Sequence, residues 1–305
     1  MSLGLEIVQT QIEHITGIWD LVEAMGYPGA NIFIPVEERI LLHRTKPLPV
    51  PIDDPTSKRL FRLTMEFLGK GSTLDEDLNS ALLVPCLEEM QPGPGGRFRN
   101  ELLRVSDQLS NLVGSPPTQS PGKRTAPNVY LDHALNKTIG NLVHSATVHH
   151  GHIRHSVNHV MPLAESTIGV GSRLLAGIDS EISRTRDILR YMKTDSRTLS
   201  DLLGRSPTRG EQFTAYLRFL EEERDIFRGL FESALIIQHN LKELYTYCIW
   251  YTDDLTTQNQ HPPPRETPVT LKDVTRSIRN LLNRVEIVQM AGVGSNVSGT
   301  KARRL

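Results

Sequence analysis

The chain has 305 residues, of which 38% are hydrophobic, 6% aromatic and 23% charged, and its formal net charge is -1. That length allows one large domain or two ordinary ones, and the balanced charge argues against nucleic-acid or membrane-surface binding along the whole chain. The two cysteines, Cys86 and Cys248, exclude a disulfide framework and a cysteine-based zinc site.

The first 113 residues are predicted to form short helices. Apolar residues recur at helical spacing from Leu5 to Val22. Shorter helical patterns follow over 35–43, 57–68, 73–90 and 98–112. Residues 114–127 contain four prolines and no large apolar side chain, which predicts a disordered Pro/Ser linker and a domain boundary.

Long helices are predicted beyond the linker. Residues 128–161 and 163–193 each carry a helical apolar pattern, and Pro162 predicts an end or a kink between them. A connector over 194–209 leads to the longest pattern, from Phe213 to Tyr251. Prolines then end this helix. A basic helix is predicted to follow and to run to about Met290, and a flexible tail is predicted after it. The predicted regions are 1–113, 114–127, 128–260, 261–290 and 291–305.

The longest predicted helix repeats apolar residues every seven positions, in rows that lie side by side. A stripe of this width can contact more than one neighbouring helix, and short connections favour antiparallel neighbours. We therefore predict an all-α fold in which short N-terminal helices precede an elongated bundle of long antiparallel helices. Homodimerisation through the same stripe is the alternative. We predict protein contacts at these positions, which we call the heptad stripe: Phe213, Leu220, Phe227, Leu230, Phe231, Leu241 and Leu244.

Histidines are concentrated between residues 144 and 159. His152, His155 and His159 are three and four residues apart, so on a helix their imidazoles could share one metal ion, zinc by preference. The same face could instead sense pH below about 6.5. We favour a third interpretation, a solvated polar surface without a cofactor, because this face opposes the apolar face of its helix. His149 and His150 flank that apolar face.

Two further signals concern regulation and binding. Ser120 and Ser206 each precede a proline in a predicted connector, as in substrates of proline-directed kinases. Lys272, Arg276 and Arg279 share one face of the last predicted helix, which would suit an acidic partner or a membrane surface.

These patterns favour a non-enzymatic role over an enzyme. A sustained heptad stripe without a phosphate-binding loop or a G-x-S-x-G motif predicts a helical scaffold or assembly subunit that binds a protein partner or itself. The first alternative is a peripheral membrane or cytoskeletal binder that uses the basic last helix. The second is a metal-binding protein or helical enzyme built on the histidines of 133–159. Nucleic acid is not an expected partner. Since neither a signal peptide nor a membrane-spanning apolar run is visible, we expect a cytoplasmic or nuclear protein.

Overall fold

A computed structural model of the chain describes residues 2–25, 32–43, 55–114, 126–199, 208–258 and 265–302. These residues form helices and no strand, which confirms the all-α prediction. A π-helical segment, Leu78–Leu83, joins the third helix to the fourth. The helices are α1 (Ser2–Ala24), α2 (Ile34–His43), α3 (Pro55–Asp77), α4 (Val84–Glu88), α5 (Arg97–Gly114), α6 (Ala126–Leu199), α7 (Thr208–Gln258) and α8 (Leu271–Ala302).

The chain divides into two compact units that do not follow the order of the sequence. The first unit comprises Met1–Ala30, Leu78–Val160 and Asn240–Leu305, and the second comprises Asn31–Asp77 and Met161–His239. The long helices α6 and α7 therefore contribute a segment to each unit. Most of the predicted 114–127 linker lies outside the described residues, so the domain boundary placed there stays a prediction.

The long helices pack in the antiparallel orientation expected from the sequence. In the second unit, a Cβ built on Gly171 of α6 would lie 2.9 Å from the ring of Phe231 of α7. Further along α6, Arg186 pairs with Glu221 of α7 at 2.6 Å. The partner's number falls as the number along α6 rises, so the two helices run in opposite directions.

In the first unit, α1 packs against α8. The ion pairs Arg265–Glu13 (2.8 Å) and Arg284–Asp20 (2.7 Å) border this contact. Partly exposed pairs contribute only about 0–1 kcal/mol each, so most of the stabilisation comes from the apolar faces that the helical spacing predicts. The buried apolar residues are Leu5, Val8, Ile12, Ile15, Ile18, Trp19 and Val22 of α1, and Val274, Ile278, Leu281 and Val285 of α8.

In the second unit, Phe67 of α3 lies at the centre of an aromatic cluster. Its ring contacts Phe33 edge-on with centroids 5.5 Å apart, and Phe227 edge-on at 6.2 Å. Gly171 of α6 allows this packing, because an added Cβ there would lie 2.6 Å from the Phe67 ring. Aromatic pairs of this kind contribute about 0.5–1.5 kcal/mol beyond the area they bury.

A buried carboxylate joins α3 to the start of α2. Oδ2 of Asp75 accepts hydrogen bonds from the backbone N–H groups of Phe33 (2.7 Å) and Ile34 (3.2 Å). Helices begin with N–H groups that have no partner inside the helix. Asp75 therefore supplies from a distant part of the chain what a local capping residue usually provides.

Several sequence-based boundaries are corrected. The gap predicted between 68 and 73 is absent, because α3 continues from Pro55 to Asp77. The prediction that Pro162 ends a helix is wrong, since α6 continues from Ala126 to Leu199. The alternative prediction, a kink at this proline, stays a prediction. A proline removes one hydrogen bond, and packing on both sides of it can compensate. Similarly, α8 continues to Ala302, through residues assigned to a flexible tail. Extending an existing helix requires far less free energy than starting one.

Local hydrogen bonds fix the start of α8. Thr270 Oγ1 accepts a hydrogen bond from the Asp273 backbone N–H at 3.3 Å, and the Thr270 N–H donates to Asp273 Oδ2 at 3.0 Å. This reciprocal arrangement is a capping box. It holds the first turn of the helix that carries the basic face.

Candidate functional site

The heptad stripe lies mostly in the core of the chain itself. Leu220, Phe227, Leu230, Leu241 and Leu244 are buried, whereas Phe213 and Phe231 are half-buried. These positions therefore contact neighbouring helices of the same chain.

Apolar side chains are also exposed on the other side of α7. The side chains of Leu235 and Ile236 are 40% and 55% exposed. At about 100° per residue, both point away from the side that buries Leu230 and Leu244. The sequence repeat did not single them out, because they fall outside its rows.

The predicted zinc ligands lie at the surface. His152, His155 and His159 are all exposed on α6. Within the described ranges, no three His, Cys, Asp or Glu side chains are placed so that they could hold a metal ion. The zinc site therefore stays a prediction, and measuring the metal content of the purified protein would test it.

His149 and His150, which flank the apolar face of their helix, are buried. His149 is 2% exposed and His150 is fully buried. Burial lowers the pKa of His149 to about 4, with a further decrease from nearby His152. Burial likewise lowers the pKa of His150 to about 3, although a hydrogen bond between its Nδ1 and the Ala146 carbonyl (2.5 Å) opposes that shift. Both imidazoles are therefore neutral at pH 7.

The His149 ring lies where α5 and α6 meet. His149 stacks on Phe98 of α5, with centroids 6.3 Å apart and planes 18° apart, and meets the ring of His150 edge-on. The residues flank the apolar face, so helical periodicity alone places them at its border. Periodicity does not show whether this border is buried. In the structure, Phe98 of α5 covers it at His149.

A cleft of about 510 Å³ opens beside His149. We call it the His149 cleft. It lies in the first unit, between α6 on one side and α4, the following loop and the start of α5 on the other. Its apolar lining includes Pro85 and Ile153, and its charged lining consists of Glu88, Glu89 and Arg97.

The basic face of α8 is exposed. Lys272, Arg276 and Arg279 all lie outward, opposite the buried side that packs on α1. Arg276 is close enough to Asp273 to contribute, after the hydrogen bonds from Thr270, to lowering the pKa of that carboxylate. The predicted phosphorylation sites Ser120 and Ser206 lie outside the described residues.

No known protein-family profile matches the sequence, and a search of curated proteins finds no significant relative. Among the described residues, no helix has a stretch both long and apolar enough to cross a lipid bilayer. The chain is thus classified by its architecture, as an all-α protein with long antiparallel helices.

Proposed function

We propose that this chain is a non-enzymatic helical scaffold or assembly subunit, which binds a protein partner or a second copy through the outward side of α7. One observation carries the proposal. The heptad stripe is buried within the chain, yet α7 exposes Leu235 and Ile236 on its other side. Covering apolar surface is favourable by about 25 cal/mol per Å², so these two side chains supply a driving force for association.

The distribution of exposed apolar residues favours the second unit as the binding region. Eight large apolar side chains are exposed in the described part of the chain, and five of them belong to this unit. They are Phe61, Tyr191, Ile226, Leu235 and Ile236. Contiguous exposed apolar surface is typical of protein-binding sites, and Leu235 and Ile236 are neighbours in the chain.

The proposal is tested by making this surface polar. Replacing both residues, Leu235→Asp and Ile236→Asp, should leave the helical content unchanged because neither side chain is buried. It should weaken association by about tenfold or more, as expected for the loss of apolar contacts at an interface. Light scattering over a concentration series measures self-association. If the partner is another protein instead of a second copy, a photo-crosslinker at position 236 captures it, and its binding can then be measured directly.

The matched control is Glu232→Gln, which alters an exposed residue on the same side of α7. It should leave binding unchanged. The proposal is wrong if the chain stays monomeric to about 100 μM and a crosslinker at position 236 captures no other protein.

A second candidate function rests on the basic face of α8. Its three exposed cations would favour an anionic membrane surface or an acidic cytoskeletal partner by about 1 kcal/mol each. Charge reversal at Lys272, Arg276 and Arg279 should therefore weaken pelleting with phosphatidylserine vesicles by about a hundredfold. Reversal of Arg218, an exposed cation on α7, is the control. Equal pelleting of both variants would exclude this role.

The remaining sequence-based assignments stand as proposals within this function. A cytoplasmic or nuclear location and phosphorylation both fit a regulated scaffold. Ser206 lies two residues before α7 begins at Thr208, where a phosphate would interact favourably with the helix dipole. Mass spectrometry of the protein from its native cells would test phosphorylation at Ser206 and Ser120.

A further inference from the structure

Two opposite charges flank the exposed apolar pair of α7, Leu235 and Ile236. Exposed Arg228 lies seven residues before Leu235. Exposed Glu243 lies seven residues after Ile236. At about 100° per residue, a separation of seven returns to nearly the same side of a helix, so the four side chains share an arc of about 100°. We call these four residues the outer quartet. They lie on the side of α7 opposite the buried heptad stripe.

The two charges of the outer quartet are available to a second molecule. In the part of the chain that the structure describes, no group forms an ion pair or a hydrogen bond with the side chain of Arg228 or Glu243. Glu221 of the same helix differs, because it pairs with Arg186 of α6 at 2.6 Å. Since Arg228 and Glu243 are exposed and unpaired, each can form an ion pair with a partner without breaking a contact of the fold.

The outer quartet is complementary to a second copy of itself. Arg228 and Glu243 lie at equal distances from the midpoint between Leu235 and Ile236, about 11 Å along the helix axis on either side. In a two-fold symmetric pair of antiparallel helices, a residue before the midpoint faces the residue at the same distance after it on the other copy. Leu235 of each copy would therefore face Ile236 of the other. Arg228 of each copy would face Glu243 of the other, so opposite charges meet at both ends.

The neighbouring exposed residues fit the same antiparallel pairing. Glu232 would face His239 of the other copy, a contact that a glutamine at position 232 would also make. Between residues 225 and 246, no exposed residue would face one of like charge. A parallel pair would instead place Arg228 against Arg228 and Glu243 against Glu243. Because like charges that face each other across an interface oppose binding, the charges favour the antiparallel orientation.

We propose that the partner of the outward side of α7 is a second copy of this chain, whose α7 packs against it in the antiparallel orientation around Leu235 and Ile236. An Arg228–Glu243 ion pair closes each end of this contact. Exposed ion pairs add little affinity, so the apolar contact supplies most of the binding and the charges set the orientation. This inference rests on the proposed function and makes it specific by naming the partner.

Charge reversal in the full-length protein tests this pairing by sedimentation equilibrium. Arg228→Glu places like charges together at both ends of the contact, and so does Glu243→Arg. Each change should weaken self-association by about tenfold. An equimolar mixture of the two variants should regain the wild-type affinity, because the two introduced charges then face each other and the two native ones do the same. Lys137→Glu, which reverses an exposed cation of α6, is the control and should leave self-association unchanged.

The outcomes separate this inference from the proposed function. If the protein stays monomeric to about 100 μM but a crosslinker at position 236 captures another protein, the second copy is not the partner, although the proposed function survives. If the crosslinker also captures nothing, both are wrong. If the protein dimerises and Leu235→Asp with Ile236→Asp prevents this, but mixing the two charge variants restores nothing, the antiparallel pairing is overturned.

Discussion

Acid sensitivity of the fold should follow from the two buried histidines. The folded protein keeps His149 and His150 neutral, with pKa values lowered to about 4 and about 3 from 6.5. An unfolded chain protonates both near pH 6.5. Between these values the unfolded state binds more protons, so the stability of the fold is fully present above pH 6.5 and is lost as pH falls.

The loss of stability at pH 5 follows from the histidine pKa values of the unfolded chain alone, because both pKa values in the folded protein lie below 5. The difference of about 1.5 pH units, at 1.36 kcal/mol per unit, removes about 2 kcal/mol for each imidazole. Together they remove about 4 kcal/mol, a large part of the roughly 5–15 kcal/mol that stabilises a typical protein. Half-buried His14, whose pKa burial also lowers, changes stability in the same direction.

Urea unfolding followed by circular dichroism at pH 7.5, 6.5, 5.5 and 5.0 measures this loss. His149→Phe should reduce the loss between pH 6.5 and 5 by about 2 kcal/mol, since one of the two imidazoles is then absent. Replacing exposed His155 with Gln should leave the loss of stability between pH 6.5 and 5 unchanged. A wild-type loss below about 1 kcal/mol over that range would refute the argument that both rings are held neutral in the core.

Three further outcomes are expected. Asp75→Ala should lower the free energy of unfolding by about 2–4 kcal/mol in urea titrations, because the buried Phe33 N–H and the partly buried Ile34 N–H lose their acceptor. Gly171→Ala should destabilise by about 1–2 kcal/mol by the same measurement, since its Cβ would lie 2.6 Å from the Phe67 ring. Cys86 and Cys248 should resist alkylation at pH 8 until the protein unfolds, because burial raises the pKa of each thiol to about 12.

Each of these has a control within the chain. Glu76→Ala, at an exposed site beside Asp75, should change stability by less than about 0.5 kcal/mol. Gly169→Ala, where an added Cβ meets nothing within 4 Å, should stabilise by about 0.5–1 kcal/mol. If the two glycine substitutions have the same effect, close packing at Gly171 is not the cause. Rapid alkylation of the folded protein would mean that the thiols are accessible.

Periodicity predicted much of the helical architecture but little of the candidate sites. The heptad stripe and the apolar face of α1 depend only on the spacing of apolar residues along one helix, so both can be predicted from the sequence. Whether a second chain or the same chain covers the stripe depends on which helices meet it. The burial of Leu220 and Phe227 answers that question for this fold.

The amino-acid sequence by itself determined the helices, their apolar faces and the capping box at Thr270, because these depend on residues within a few turns of one another. Tertiary structure decided that α6 continues through Pro162 and that Asp75 completes the start of α2. It also decided that His149 is buried against Phe98 beside a cleft. Each of these depends on contacts between residues far apart in the chain, whose positions no local pattern specifies.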